Sequence, residues 1–234
     1  MKAFSPAPVT ADTIGLVHPQ CLSTVFWETD PRYRVAVAGG DICFEKEAWL
    51  NRILIKRGAV GFLLADGGTA PAVATVLYCR SADAPVVEHL PTAPVGADAE
   101  LVTSIHTDAH CHRAAVLMCL SAVVQALTER GVAALEIFGL RSMGRKHTRG
   151  GGRAHDPAVA AATVDHPLDP AVAESVLDPA AVGLVEVPLL REAGFRVVAD
   201  HPVLPRLRLD LPPRQGLLAD TARDDLTGDA VINT

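Results

Sequence analysis

The sequence has no run approaching the roughly 18 consecutive apolar residues of a membrane span, and its N-terminus, "MKAFSPAPVTADTIG", has no apolar core of a leader. A membrane partner and export are therefore not expected. It also lacks an excess of basic charge: 21 Lys and Arg stand against 27 Asp and Glu, a net charge of -6. Nucleic-acid binding needs a basic face to displace counterions, so that partner class is not expected either. Cysteine is sparse and unpaired in pattern. Five residues, none in C-x-x-C spacing, leave an odd count and favour a reducing, cytoplasmic setting over a disulfide framework.

What is present is an ordinary globular composition, 234 residues with 49% hydrophobic side chains, enough for one large core. From Phe44, "FEKEAWLNRILIKRG" sets Trp49, Leu50, Ile53 and Leu54 at helical spacing, with acids early, bases late and Gly58 as the stop. "AVGFLLAD" and "AVATVLYCR" flank a short Gly/Pro turn and predict an antiparallel hairpin. "AELVTSIHT" predicts a strand buried on both faces, and "AAVLMCLSAVVQALTERG" a long, nearly all-apolar helix that needs a sheet to lie against. The strand "VAALEIFG", the short helix in "VPLLREAG" and two closing strands follow.

The order predicts a single α/β (α+β) domain over residues 13–211. Residues 1–12, rich in Pro, Ala and Thr, are expected to be a loose lead-in, 141–183 a flexible insertion whose basic, Gly-rich first part reads as a loop and whose Ala/Pro/Asp-rich second part reads as short helical turns broken by Pro, and 212–234 a polar tail.

The stretch "IHTDAHCHRAAVL", Ile105 to Leu117, holds three histidines and a cysteine at a strand-to-helix turn. A zinc site would need these ligands to converge, but adjacent residues of an extended turn point different ways, so no metal is expected. Cys111 with a neighbouring histidine is a nucleophile–base alternative, disfavoured because sequence neighbours seldom reach that geometry. Polar decoration of a surface turn and ligand contact by one or two of these residues remain open. The basic loop "RSMGRKHTRGGGR" lacks the Walker order and has no interleaved aromatics, so it reads as a solvated loop.

Three signatures resemble the Gcn5-related N-acetyltransferase (GNAT) superfamily: "ELVTSIHTDAHCHRAAVLMCLSAVVQAL" with "ERGVAALEIFG", then "VPLLREAGFRVV", then "HPVLPRLRLDL". "FWETDPRY" with "KEAWLNRIL" resembles actinobacterial members of that superfamily. The resemblance implies a GNAT fold, with a central mixed, mostly antiparallel sheet flanked by helices. It further implies transfer of an acetyl or related acyl group from acyl-CoA to an amine of a small molecule or protein, with a homodimer left open.

On that resemblance, Ser104, Ile105 and His106 would meet the pantetheine arm of acetyl-CoA or another acyl-CoA. Arg113, Ala114, Ala115, Val116 and Leu117 would form the pyrophosphate turn at a helix N-terminus. Alanine and valine stand at 114 and 116 where the family pattern has glycine or a small residue, and the β-branched Val116 is expected to crowd a phosphate. Glu100 is the candidate general base; Leu190 stands where relatives carry a tyrosine acid, so His106, Cys111 or a water would have to protonate the departing thiolate, or it would leave unprotonated. Trp27 and Glu28 are the candidate acceptor pocket. The missing glycines and tyrosine support an alternative: a GNAT-fold protein that has lost acetyl-CoA use and serves as a ligand-binding or interaction module, or in other biosynthetic chemistry.

Overall fold

The computed structural model of the chain describes residues 4–33, 40–65, 70–141, 168–176 and 178–213. The basic, glycine-rich part of the expected insertion and most of the C-terminal tail lie outside them. Among the described residues, β1 (Ser5–Pro8), β2 (Gly61–Ala65), β3 (Ala74–Cys79), β4 (Ala99–Thr107), β5 (Ala134–Phe138), β6 (Arg196–Ala199) and β7 (Arg206–Asp210) form one sheet in the order β1-β2-β3-β4-β5-β7-β6. Only the β4–β5 pair is parallel. Its crossover is the long helix α3 (His112–Glu129), as a parallel pair requires. This is the mixed, mostly antiparallel sheet with flanking helices that the resemblance implies.

The helices divide between the two faces. α1 (Pro19–Leu22), α2 (Ile42–Arg57) and α4 (Pro170–Val176) share one core cluster with Leu63, Leu77, Leu101 and Phe138. α3 and α5 (Val187–Glu192) share the other with Leu64, Val76, Val102, Ile105 and Ile137. α2 begins where Asp41 accepts a hydrogen bond from the Phe44 amide at 3.1 Å, and ends where Gly58, at φ 73°, donates its N–H to Leu54. Each end thus satisfies backbone groups that the helix itself cannot. By length and hydropathy the segment Ala109–Glu129 would pass for a membrane span, yet more than half of it is buried inside this molecule.

Two expectations from composition meet a different outcome. Within the lead-in, Ser5–Pro8 pairs antiparallel with β2. Its prolines are tolerated because an edge strand uses only half of its amides. The described part of the insertion, 168–176 and 178–183, contains an expected helical turn, α4, and is built into the molecule: Leu168, Val172, Val176 and Val182 are all buried. Alanine and valine between the prolines supply an apolar face that a count of loop-forming residues conceals.

In β4 the pairing with β3 shifts register between Leu77 and Tyr78, leaving Thr103 as an extra residue whose hydroxyl donates to the Leu77 carbonyl at 3.3 Å. A bulge of this kind bends its strand. The β4–β5 ladder runs only from Ala99↔Ala134 to Val102↔Ile137 and stops there. Beyond it the two strand ends open a wedge, with the α3 N-terminus at its β4 side.

Val116 lies inside α3 and is fully buried. Val116→Gly should lower unfolding stability by about 3 kcal/mol, from the lost side chain and the weaker helix propensity of glycine. Urea denaturation followed by circular dichroism measures it; a loss below about 1 kcal/mol would contradict the placement.

Candidate functional site

The wedge is lined from below by the Thr103–His106 end of β4. Because the bulge flips the alternation, Ser104 and His106 face the α2 side with Leu101, whereas Val102 and Ile105 pack against α3. His106 is 1% exposed, and its ring lies parallel to that of His18, centroids 6.2 Å apart. Burial, helped by the Lys46 and His18 charges, pulls the His106 imidazole down to about 3, with the Ala180 backbone acting the other way. At neutral pH the ring is therefore uncharged. Neither ring nitrogen has a hydrogen-bond partner among the described residues.

Around it lies a buried polar cluster. Lys46 is 0% exposed and donates to Glu28 Oε1 at 2.5 Å, while its ammonium sits 5.8 Å from the Trp49 ring centre. Burial acts to lower the Lys46 pKa, but the Glu28 carboxylate and the Cys21 and Cys79 thiols together outweigh it, and the group is held above its ordinary value. Cys21 shares the cluster, its thiol pushed up to about 11 by burial. His18 Nε2 meets Asp108 Oδ1 at 3.2 Å, and its backbone N–H donates to Thr75. Glu28 Oε2 and Ser104 Oγ, like both His106 nitrogens, have no partner. Buried polar atoms are rarely left so, and several in one place mark a site built for something more than packing.

The candidate acceptor residues fall on this cluster. Glu28 belongs to it, and the Trp27 indole, 1% exposed, donates to the Val182 carbonyl at 2.8 Å across the wedge. Glu100 does not join them. It lies six residues before His106, about 20 Å along an extended strand, and its Oε1 is taken by Arg57 at 2.6 Å and Arg80 at 3.0 Å. One bound amine cannot meet both Glu100 and His106, and the Glu100 oxygen is already engaged by two guanidiniums.

The turn itself is resolved as a short 3-10 segment, Ala109–Cys111, running into α3. No side chain caps the helix start at Cys111. The amides of His112, Arg113 and Ala114 precede the first hydrogen bond within α3, so only the 3-10 turn before them offers backbone acceptors, and a helix start of this kind suits an anion. Arg113 is exposed and paired with Glu192 of α5. Ala114, Ala115, Val116 and Leu117 are all buried, so the branched side chain of Val116 packs inward and does not lie over the helix start. His110 and His112 are exposed, and His112 is bonded to Thr107 at 2.6 Å, while His106 points into the interior. Among the described residues no group of His, Cys, Asp or Glu could hold a metal. The Cys111 thiol is raised by burial and by Asp108, the opposite of an activated nucleophile. Leu190, fully buried, supplies no proton donor.

The wedge is not empty of chain. Gly183 sits in it, and its carbonyl accepts the Ile105 N–H at 2.9 Å. A Cβ at Gly183 would lie 2.7 Å from Ser104 Cβ and 2.9 Å from the Ile105 nitrogen, and its φ is +72°. Only glycine fits there.

Sequence reasoning overlooked Lys46, His18 and Gly183. Lys46 carried a signal: with Trp49, Leu50 and Ile53 it completes the i, i+3, i+4, i+7 stripe of α2, a place where a lysine must be buried and paired. His18 and Gly183 carried none, since their roles arise from segments distant in sequence.

Two measurements test these assignments. Glu28→Gln leaves the Lys46 ammonium buried with no counter-charge and should cost about 3–5 kcal/mol; the double change Glu28→Leu with Lys46→Met should recover much of it, and equal losses would refute a buried pair. His106 is neutral when folded and has an ordinary value near 6.5 when unfolded, so the unfolded state binds the extra proton. Its contribution is present above that value and is lost as pH falls from about 6.5 toward 3, at about 1.4 kcal/mol per pH unit. His106→Gln should flatten the stability profile between pH 6 and 4.

No family model matches the chain, and no curated protein matches it. Among solved structures, it is similar to an N-acetyltransferase from Staphylococcus aureus Mu50, at 12% identity over 89% of this chain and 98% of that one, with a TM-score of 0.46. It is also similar to Mycobacterium smegmatis RimJ in complex with CoA-disulfide, at 11% identity over 97% of this chain and 89% of that one, with a TM-score of 0.36.

Proposed function

We propose that the chain is a GNAT-type acyltransferase, moving an acetyl or related acyl group from acyl-CoA to an amine of a small molecule or protein. The observation that carries this reading is the wedge between β4 and β5, which sets the uncapped α3 N-terminus beside a buried polar cluster of Ser104, His106, Trp27, Glu28 and Lys46. The amides of His112 to Ala114 would take the pyrophosphate, and the β4 backbone at Ile105 the extended arm. Such a terminus favours anions through orphan N–H groups and the helix dipole.

Within this reading the acceptor amine lies by Glu28 and His106. An ammonium has no lone pair, so a proton must leave before attack on the thioester. His106, neutral and with both nitrogens unpartnered, is the group available to accept it. Its basicity in the closed interior is low, because burial and the Lys46 and His18 charges depress it, and admitting water to the site would relieve the burial part of that depression. The donor of a proton to the leaving thiolate is then water or His106 itself. A cytoplasmic setting agrees with Cys21, Cys79 and Cys119 standing as buried free thiols.

A second reading has the observation of Gly183 behind it. A chain segment already bonded to Ile105 favours a GNAT-fold module that has given up acyl-CoA. Calorimetric titration with acetyl-CoA separates the two. Binding tighter than about 100 μM, or roughly 5.5 kcal/mol, is expected for the acyltransferase; no heat and no thermal stabilisation by CoA would reject it.

A further inference from the structure

The segment Asp178 to Val187 holds to the two sides of the wedge unequally. Along the continuation of β5 it makes a parallel bridge between Leu140 and Glu186, with Leu140 N–H donating to Val185 and Val187 N–H to Leu140, both at 2.9 Å. Toward β4 its backbone is held by the Ile105 N–H on the Gly183 carbonyl and by the Trp27 indole on the Val182 carbonyl. Among the described residues its other backbone bonds are turns within the segment, Ala181 N–H to Asp178, Gly183 N–H to Ala180 and Leu184 N–H to Pro179, and the first turn of α5, where Leu189 and Leu190 donate to Glu186. The turns within the segment travel with it if it moves.

The closed arrangement leaves polar groups beneath it unsatisfied. Ser104 Oγ and both His106 nitrogens have no partner, although a Cβ on Gly183 would stand 3.0 Å from His106 Nε2. A permanent wall would be expected to satisfy what it covers. This one presents a carbonyl to a strand edge and the Ala180 backbone toward the His106 ring, without completing a hydrogen bond to either ring nitrogen.

An open strand edge takes extended chains that carry amides. The strap offers one such group to Ile105; the pantetheine arm of an acyl-CoA is another extended, amide-bearing chain, and the two cannot use the same N–H in the same place. Resting on the acyl-CoA reading above, we infer that Val182–Leu184 is a displaceable occupant of the acyl-CoA groove, closing it at rest and leaving β4 about its anchor at Leu140 when acyl-CoA enters. Opening breaks the Ile105 and Trp27 bonds, keeps the Leu140 bonds, and uncovers Ser104 and His106 in the same motion. Cofactor entry and exposure of the polar cluster are thereby one event.

The experiment is amide hydrogen exchange on the full chain, wild type and Gly183→Ala, with and without CoA, beside CoA titrations of each. The added methyl has no room in the closed position, so in Gly183→Ala the Ile105 amide should exchange faster while α3 stays protected. Apparent CoA affinity should tighten by about tenfold, because the closed population no longer competes. In the wild type, CoA should protect 109–117 and deprotect 181–184, with Leu140 unchanged. Trp27→Phe, which removes the indole donor at similar size, supplies the same comparison if Gly183→Ala does not fold. If CoA protects 109–117 while 181–184 keeps its protection, and neither variant changes affinity, the strap is a fixed wall and the inference fails with the acyl-CoA reading intact. If Ile105 opens in Gly183→Ala and no protein responds to CoA, the acyl-CoA reading fails and takes the inference with it.

Discussion

The parting of β4 from β5 after Val102 is the constraint on which the site depends. A parallel pair that continued to Thr107 would satisfy every amide along β4 and leave nowhere for a ligand or a strap. The Thr103 bulge ends that continuation and turns Ser104 and His106 to the face where α1, the turn that follows it and α2 supply Cys21, Glu28 and Lys46. Below the bulge the same strand is tied down by ion pairs. Arg57 and Arg80 hold Glu100, while Arg208 joins Glu136 to Asp98 near the start of β4. One half of β4 is tied down by ion pairs and the other half lines the candidate site, and a single extra residue separates them.

The half that lines the site depends on a buried charge that is costly in isolation. Moving an ammonium and a carboxylate out of water outweighs their mutual attraction unless geometry and further hydrogen bonds compensate. Here Lys46 has Glu28 and the face of Trp49, but Glu28 Oε2 goes unpartnered. Apolar residues of similar volume would pack there at less expense in desolvation. The pair therefore makes better sense as a source of local charge for a reactant than as a device for stability, and its field helps to keep the neighbouring His106 neutral.

Much of the fold was legible because its signals are local. The stripe of α2 with its terminal Gly58, the hairpin of β2 and β3, the apolar run of α3 and the parallel crossover all follow from spacing and from what a helix or a strand must bury. β1 and the close packing of the described insertion were missed for one reason: proline and alanine were taken as marks of a loose lead-in and a flexible insertion, whereas an edge strand and a packed segment accept both; the short helical turn expected between the prolines is α4. Of the candidate site, Trp27, Glu28, Ser104 and His106 converge. Glu100 does not, because distance along a strand is easy to count but which face a side chain takes depends on a bulge with no sequence signature of its own.

The turn at 111–116 shows how a motif argument changes once side chains have directions. Glycine is needed where a Cβ would stand between an amide and its anion. In α3 the amides at the helix start belong to His112, Arg113 and Ala114, one turn before any residue whose N–H is satisfied within the helix, and Val116 lies past them with its side chain in the core. Its branching does not by itself close the helix start to a phosphate. On the proposed acyl-CoA reading, what opposes the cofactor is the pairing of Arg113 with Glu192, which withholds a cation, and the Gly183 segment on Ile105, which withholds a backbone donor. Both are non-covalent contacts between surface or edge groups, and each can exchange its partner for a ligand without unfolding the core.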